Sequence, residues 1–117
     1  MFSSSPEIKK LDLDINNMNI QCYTAGEKGT PVILLHGAGV DSANISWKEV
    51  IGPLSKSHLV FAPDLPGYGA SEKPDIKYSL SFYIDFLKQL MNTLNLEQAS
   101  LIGLSLGGGI SLGFTLR

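Results

Sequence analysis

Ser100-Leu101-Ile102-Gly103-Leu104-Ser105-Leu106-Gly107-Gly108-Gly109 is the stretch on which the fold turns. Its first four residues read as a short buried strand, and from Leu106 onward the chain has to enter a helix that tolerates glycine because it packs closely. Gly103 to Gly107 match G-x-S-x-G between a strand and a helix, which is the context that motif requires. A serine at so tight a bend sits in strained backbone with its hydroxyl projecting above a sheet, and a Cβ at the flanking Gly103 or Gly107 would clash. The helix start behind Ser105 leaves N–H groups unpaired and a partial positive charge facing the place where an oxyanion would form.

Working outward, the other elements alternate. Ile8 to Ile15 and Asn19 to Thr24 read as an antiparallel strand pair separated by Asn16-Asn17, with Leu11, Leu13 and Ile15 alternating as in a half-buried strand. Val32 to Leu35 is an all-apolar run bounded by Pro31 and Gly37, expected as a central strand covered on both faces. Leu59 to Ala62 is a second such strand. Trp47, Val50, Ile51 and Leu54 give Ser46 to Ser55 helical spacing, with Pro53 obscuring its end. The clearest helix carries Leu80, Tyr83, Ile84, Leu87, Leu90, Met91 and Leu94 on one stripe, with Ser79 as its N-cap; that stripe reads as core. Strand and helix in strict alternation imply parallel pairing with right-handed crossovers, so the fold class is α/β: a mostly parallel sheet with an antiparallel N-terminal pair, flanked by helices.

In such a sheet, functional groups collect where the carboxyl ends of strands pass into loops. Besides the Ser105 turn there are two more such ends. His36-Gly37-Ala38-Gly39 follows the first apolar strand, and an amide from Gly37, Ala38 or Gly39 is a candidate second oxyanion donor opposite the N–H of Leu106. Asp64-Leu65-Pro66-Gly67-Tyr68-Gly69-Ala70-Ser71 is a turn-rich loop whose Asp64 can accept from local backbone amides.

Taken in order, HG-x-G, D-x-P-G-x-G-x-S and the G-x-S-x-G turn resemble the N-terminal part of the α/β-hydrolase family, over nearly the whole chain from about Ile8. The resemblance implies a catalytic nucleophile at Ser105, an oxyanion hole from Leu106 with Ala38 or its neighbours Gly37 and Gly39, and supporting roles for His36, Gly103, Gly107 and Asp64. It implies cleavage of an ester, amide, lactone or carbon–carbon bond in a small molecule, without cofactor or metal. Serine at position 105 disfavours the haloalkane dehalogenase and epoxide hydrolase branches, which carry aspartate there.

The family places its acid and its histidine after the nucleophile. None of Leu106 to Arg117 is Asp, Glu or His, so the triad is incomplete within these residues. His58 starts a five-residue strand and, at ~3.3 Å per residue, lies about 17 Å from the functional edge. His36 and Asp64 do reach that edge, but a loop-tethering role for His36 and a loop-anchoring role for Asp64 are preferred to a substitute triad. Without a general base the hydroxyl is a poor nucleophile, so the piece alone is expected to be inactive. A chain ending at Arg117 would also expose Leu101 and Ile102 on an edge strand. Residues 1–117 are therefore read as the N-terminal half of a single domain that the remainder of the same protein completes.

Composition bounds the alternatives. With 44% hydrophobic residues and a net charge of -2, the chain is neither disordered nor basic enough to suggest nucleic acid or an anionic membrane as partner. Met1 to Pro6 lacks the pattern of an export signal, and the single cysteine, Cys22, reads as a buried thiol in a reducing compartment, giving a cytoplasmic expectation. Gln98 to Leu116 carries no charge over nineteen residues, but its glycines and serines argue against a membrane span. Two other readings stay open: a non-catalytic relative holding a small molecule in the same pocket, and a dinucleotide-binding unit, because Gly37-Ala38-Gly39-Val40-Asp41-Ser42 imitates G-x-G-x-x-G.

Overall fold

The computed structural model describes residues 6–117; the expectation of no export signal over Met1 to Pro6 therefore falls, Pro6 apart, outside the described residues. The chain runs β1 (Lys9–Ile15), β2 (Met18–Ala25), β3 (Pro31–Leu35), α1 (Ala43–Leu54), β4 (Leu59–Pro63), α2 (Leu80–Thr93), β5 (Ser100–Gly103) and α3 (Leu106–Thr115). Asn16 and Asn17 both adopt left-handed backbone, φ 52° and 63°, and close a two-residue turn that pairs Ile15 with Met18. Asparagine tolerates that conformation and suits a tight type I′ hairpin, which fixes the register of the antiparallel pair.

The sheet order is β1-β2-β4-β3-β5. Strands β3, β4 and β5 run parallel, while β2 is antiparallel to β4 as well as to β1, so the N-terminal pair is part of one continuous mixed sheet. The middle strand is β4 rather than β3, because β2 adds to the free edge of β4. Side-chain alternation explains the unbroken apolar run in β3. Ile33 and Leu35 face a core shared with Phe86, Leu87, Leu90 and Ile110 of α2 and α3, whereas Val32 and Leu34 face Trp47 and Ile51 of α1.

One sequence expectation shifts at the start of an element. Helix α1 begins a turn earlier than Ser46, since the Ser42 side chain accepts from Ile45 N at 3.2 Å and caps the start, and Pro53 is tolerated in the last turn. Strand β5 has the apolar run of a buried strand but lies at the sheet edge, as expected when nothing pairs beyond it: no strand lies beyond it among the described residues, and Ile102 is 43% exposed. The α2 boundaries and the Ser79 cap, which accepts from Phe82 N at 3.1 Å, agree with the sequence reading, although Leu80 at the head of the stripe is exposed. No helix among the described residues is long and apolar enough to cross a membrane.

Cys22 is completely buried in β2. Burial pushes its thiol up to about 12, with the Asp64 charge adding and a hydrogen bond involving the Ala62 backbone opposing. In the unfolded chain the thiol ionises near ~8.5, so between that value and the folded one unfolding releases a proton. The native thiol therefore contributes stability that is complete below the unfolded value and is lost as pH rises, by up to about 1.4 kcal/mol per pH unit. Urea unfolding of the wild type against Cys22→Ala from neutral to alkaline pH should show a steeper decline for the wild type. Parallel declines would reject this account.

Candidate active site

The carboxyl ends of the three parallel strands lie along one edge of the sheet, with Leu35 of β3 directly opposite Gly103 of β5. His36, Asp64 and Ser105 emerge there. Ser105 has φ 55° and ψ −111°, a conformation that costs a non-glycine residue about 1–3 kcal/mol. The surroundings hold it in place. Leu104 N donates to Leu35 O at 3.0 Å on the strand side, and Gly109 N donates to Ser105 O at 3.0 Å on the helix side. A Cβ on Gly103 would overlap the Gly107 carbonyl, and one on Gly107 would overlap the carbonyl of Leu35, so either would prise α3 off the strand. The bend is possible because both flanking residues are glycine.

The His36 loop packs against this bend. A Cβ built on Gly37 would lie 3.4 Å from Leu104 O and 3.5 Å from the Ser105 Cβ. Of the three amides considered as the second oxyanion donor, Gly37 is removed, because its N–H already donates to Asp41 Oδ2 at 2.8 Å. Ala38 instead lines a cavity of about 420 Å³ together with Leu106, Gly67, Tyr68, Tyr78 and Tyr83. Gly39 is not among the residues lining it. Neither Ala38 N–H nor Leu106 N–H donates to a protein acceptor among the described residues, as the first turn of a helix dictates for Leu106.

His36 is fully buried, with Nδ1 2.7 Å from Gly37 O and Nε2 accepting from Leu65 N at 3.0 Å. Because Leu65 N–H is a donor, Nε2 supplies the lone pair and Nδ1 carries the proton. Both ring nitrogens are committed, so His36 has no free lone pair for the Ser105 proton and acts as a tether between two loops. Asp64 is similarly occupied: Oδ1 accepts from Ala43 N at 2.8 Å and Oδ2 from Ala70 N at 3.0 Å. His58 precedes β4, at the opposite end of that strand, and its Nδ1 lies 2.9 Å from Ser57 Oγ. Among the described residues, no hydrogen bond joins the Ser105 hydroxyl to a histidine or a carboxylate.

The sequence reading missed two features. The tyrosine wall was masked because Tyr83 sits at core spacing on α2, and because Tyr78 belongs to a loop. Tyr83 Oη donates to Pro66 O at 2.8 Å and Tyr78 Oη to Pro74 O at 2.6 Å, so both rings are fixed by backbone contacts. Burial, with Tyr68 and Tyr78 adding, pushes the Tyr83 hydroxyl above its ordinary range and keeps it neutral. The second feature is Asp41. Burial alone would raise its carboxyl, but hydrogen bonds from Ser46, Ser42 and Gly37, with nearby His36, outweigh it and hold the carboxyl below its usual value.

Sequence comparison assigns residues 30–117 to the alpha/beta hydrolase fold family. The chain belongs to the α/β-hydrolase family. This α/β-hydrolase chain is 35% identical over 116 residues to 2-hydroxymuconate semialdehyde hydrolase of a Pseudomonas species, covering 97% of the chain and 40% of that protein. It is 36% identical over 91 residues to 2-hydroxy-6-oxo-2,4-heptadienoate hydrolase of Pseudomonas putida, covering 76% of the chain and 33% of that protein. Among solved structures, a meta-cleavage product hydrolase from Pseudomonas fluorescens superposes with a TM-score of 0.87 at 34% identity, over 92% of this chain and 40% of that one. The chain thus spans two fifths or less of the length of these hydrolases. The dinucleotide alternative also fails on physical grounds. A pyrophosphate would need the amides at the start of α1, but Asp41 holds those of Gly37 and Ser42, and Asp64 holds that of Ala43.

Proposed function

We propose that this chain is the N-terminal half of a serine hydrolase in which Ser105 attacks a carbonyl carbon and the amides of Leu106 and Ala38 receive the resulting oxyanion. One observation carries the reading: a serine at φ 55° on a strand-to-helix bend, beside a cavity shared by Leu106 and Ala38. The bend costs folding energy, and the Ser105 side chain at its apex is exposed rather than packed. Donors fixed before the reaction stabilise negative charge without having to reorganise, and each such amide is worth about 10²–10³ in rate.

The general base is neither His36 nor His58. An acid and a histidine from sequence beyond Arg117 complete the triad in this reading, so residues 1–117 alone have no turnover. The relatives are named for 2-hydroxymuconate semialdehyde and 2-hydroxy-6-oxo-2,4-heptadienoate, which makes small 2-hydroxydienoates bearing an aldehyde or ketone carbonyl, split at a carbon–carbon bond, the first substrate class; simple esters are the second. The one cysteine of these 117 residues is a buried free thiol, which fits a reducing compartment, and on that ground we assign the protein to the cytoplasm. In the polypeptide extended through the acid and histidine, a fluorophosphonate should label Ser105, as peptide mass mapping would reveal. No labelling there would favour the non-catalytic binding reading instead.

A further inference from the structure

We infer that Asp41 is the positioning residue of the oxyanion loop, setting the direction of the Ala38 amide through its hold on Gly37. The inference rests on the serine-hydrolase reading of Ser105. The loop from Gly37 to Val40 is tied at few points. Gly39 has nothing within 4 Å of where its Cβ would be, and Val40 is 97% exposed. Asp41 closes the loop: Oδ2 accepts from Gly37 N and Oδ1 from Ser42 N, each at 2.8 Å, while Ser46 Oγ lies 2.8 Å from both oxygens. One carboxylate therefore joins the first residue of the loop to the cap of α1.

The consequence for Ala38 follows from peptide geometry. A trans peptide is planar, with its C=O and N–H on opposite edges. The Gly37 carbonyl is drawn to the buried His36 Nδ1 at 2.7 Å, so the N–H of the same peptide group, that of Ala38, points away from His36, and Ala38 is a lining residue of the cavity. His36 thus fixes the plane after Gly37, and Asp41 fixes the plane before it. Both matter because residue 37 is glycine, where a Cβ would press to 3.2 Å of Asp41 Oδ2. Glycine turns freely about both of its backbone bonds. Without Asp41 the two planes pivot on Gly37, and the Ala38 amide loses its aim. Asp41 is not a catalytic residue, because no reacting atom touches it; it acts through Gly37.

The test uses the complete polypeptide and a fluorophosphonate, in which the Ser105 oxygen bonds to phosphorus, fluoride leaves and the hydroxyl proton passes to the base. The phosphoryl oxygen occupies the oxyanion site, so the inactivation rate reads donor alignment. In Asp41→Asn the single acceptor oxygen cannot serve both Gly37 N and Ser42 N, and the NH2 would face one of these donors. This variant should lower the limiting inactivation rate by about 10- to 100-fold with the half-saturating probe concentration unchanged, since a donor is misaligned rather than the pocket lost. Ser46→Ala should give a smaller loss in the same direction, and Ser46→Thr, which keeps the hydroxyl, should restore the wild-type rate. Amide exchange at Gly37 should quicken in Asp41→Asn and in Ser46→Ala, a readout that does not depend on chemistry at Ser105. If Asp41→Asn fails to fold, the Ser46 pair carries the test. An unlabelled wild-type protein overturns the reading of Ser105 and with it the catalytic consequence drawn here. Unchanged Gly37 exchange, or a wild-type inactivation rate in Asp41→Asn, overturns the positioning role itself.

Discussion

Ser105→Ala in the complete polypeptide should reduce turnover by on the order of a millionfold while leaving the fold intact. The size follows from what is removed. Covalent catalysis requires an oxygen at the bend, and an alanine there offers none. What remains is substrate binding and the two amides, which on their own retain roughly 10³–10⁴ over water. Stability should change little, because Ser105 is exposed and its side chain makes no cap hydrogen bond to α3. The measurement pairs single-turnover kinetics on a 2-hydroxy-6-oxo-dienoate with thermal unfolding of the same sample. A variant retaining more than about a hundredth of the wild-type rate would show that the oxygen of Ser105 is not the nucleophile, because general acid–base assistance alone supplies about 10²–10⁴.

How far the sequence alone reaches can be judged residue by residue. The Ser105 bend is legible because each requirement is local: an apolar tetrapeptide, a serine and two glycines at fixed offsets, then a helix. The tether role of His36 is legible for the same reason, since it directly follows a buried strand. Strand order is not. The placement of β4 between β2 and β3 depends on pairings between residues such as Cys22 and Pro63, which lie far apart in the chain, and no local pattern encodes them. The choice among Gly37, Ala38 and Gly39 was likewise hidden, because it turns on which amide the Asp41 side chain takes once the loop has closed. Asp41 itself looks like an ordinary loop carboxylate before helix α1. The edge position of β5 is legible in a different way: an apolar run such as Leu101-Ile102 is exposed when no strand lies beyond it, and Ile102 is 43% exposed here.

Asp64→Ala should destabilise the protein by about 3–4 kcal/mol, and Asp64→Asn by only about 1 kcal/mol. The difference lies in which hydrogen bonds survive. Ala43 is fully buried at the start of α1, so losing Oδ1 leaves its N–H without an acceptor and away from water. Such an orphaned donor costs about 1–3 kcal/mol, toward the upper end when the lost partner was charged. The same carboxylate lies at the positive end of α1, adding about 0.3–1 kcal/mol. The contact to Ala70 matters less, because that residue is exposed and water replaces the acceptor. Asparagine keeps an oxygen for Ala43 and gives up the charge, the Ala70 contact and the long 3.4 Å contact from Gln21 Nε2, which is why its loss is the smaller. Since domains are held together by about 5–15 kcal/mol in all, the alanine variant should show a large drop in urea midpoint at unchanged slope. Equal losses for the two variants would mean that the negative charge, rather than the acceptor at Ala43, is what holds β4 to α1, and that Asp64 acts mainly on the helix dipole.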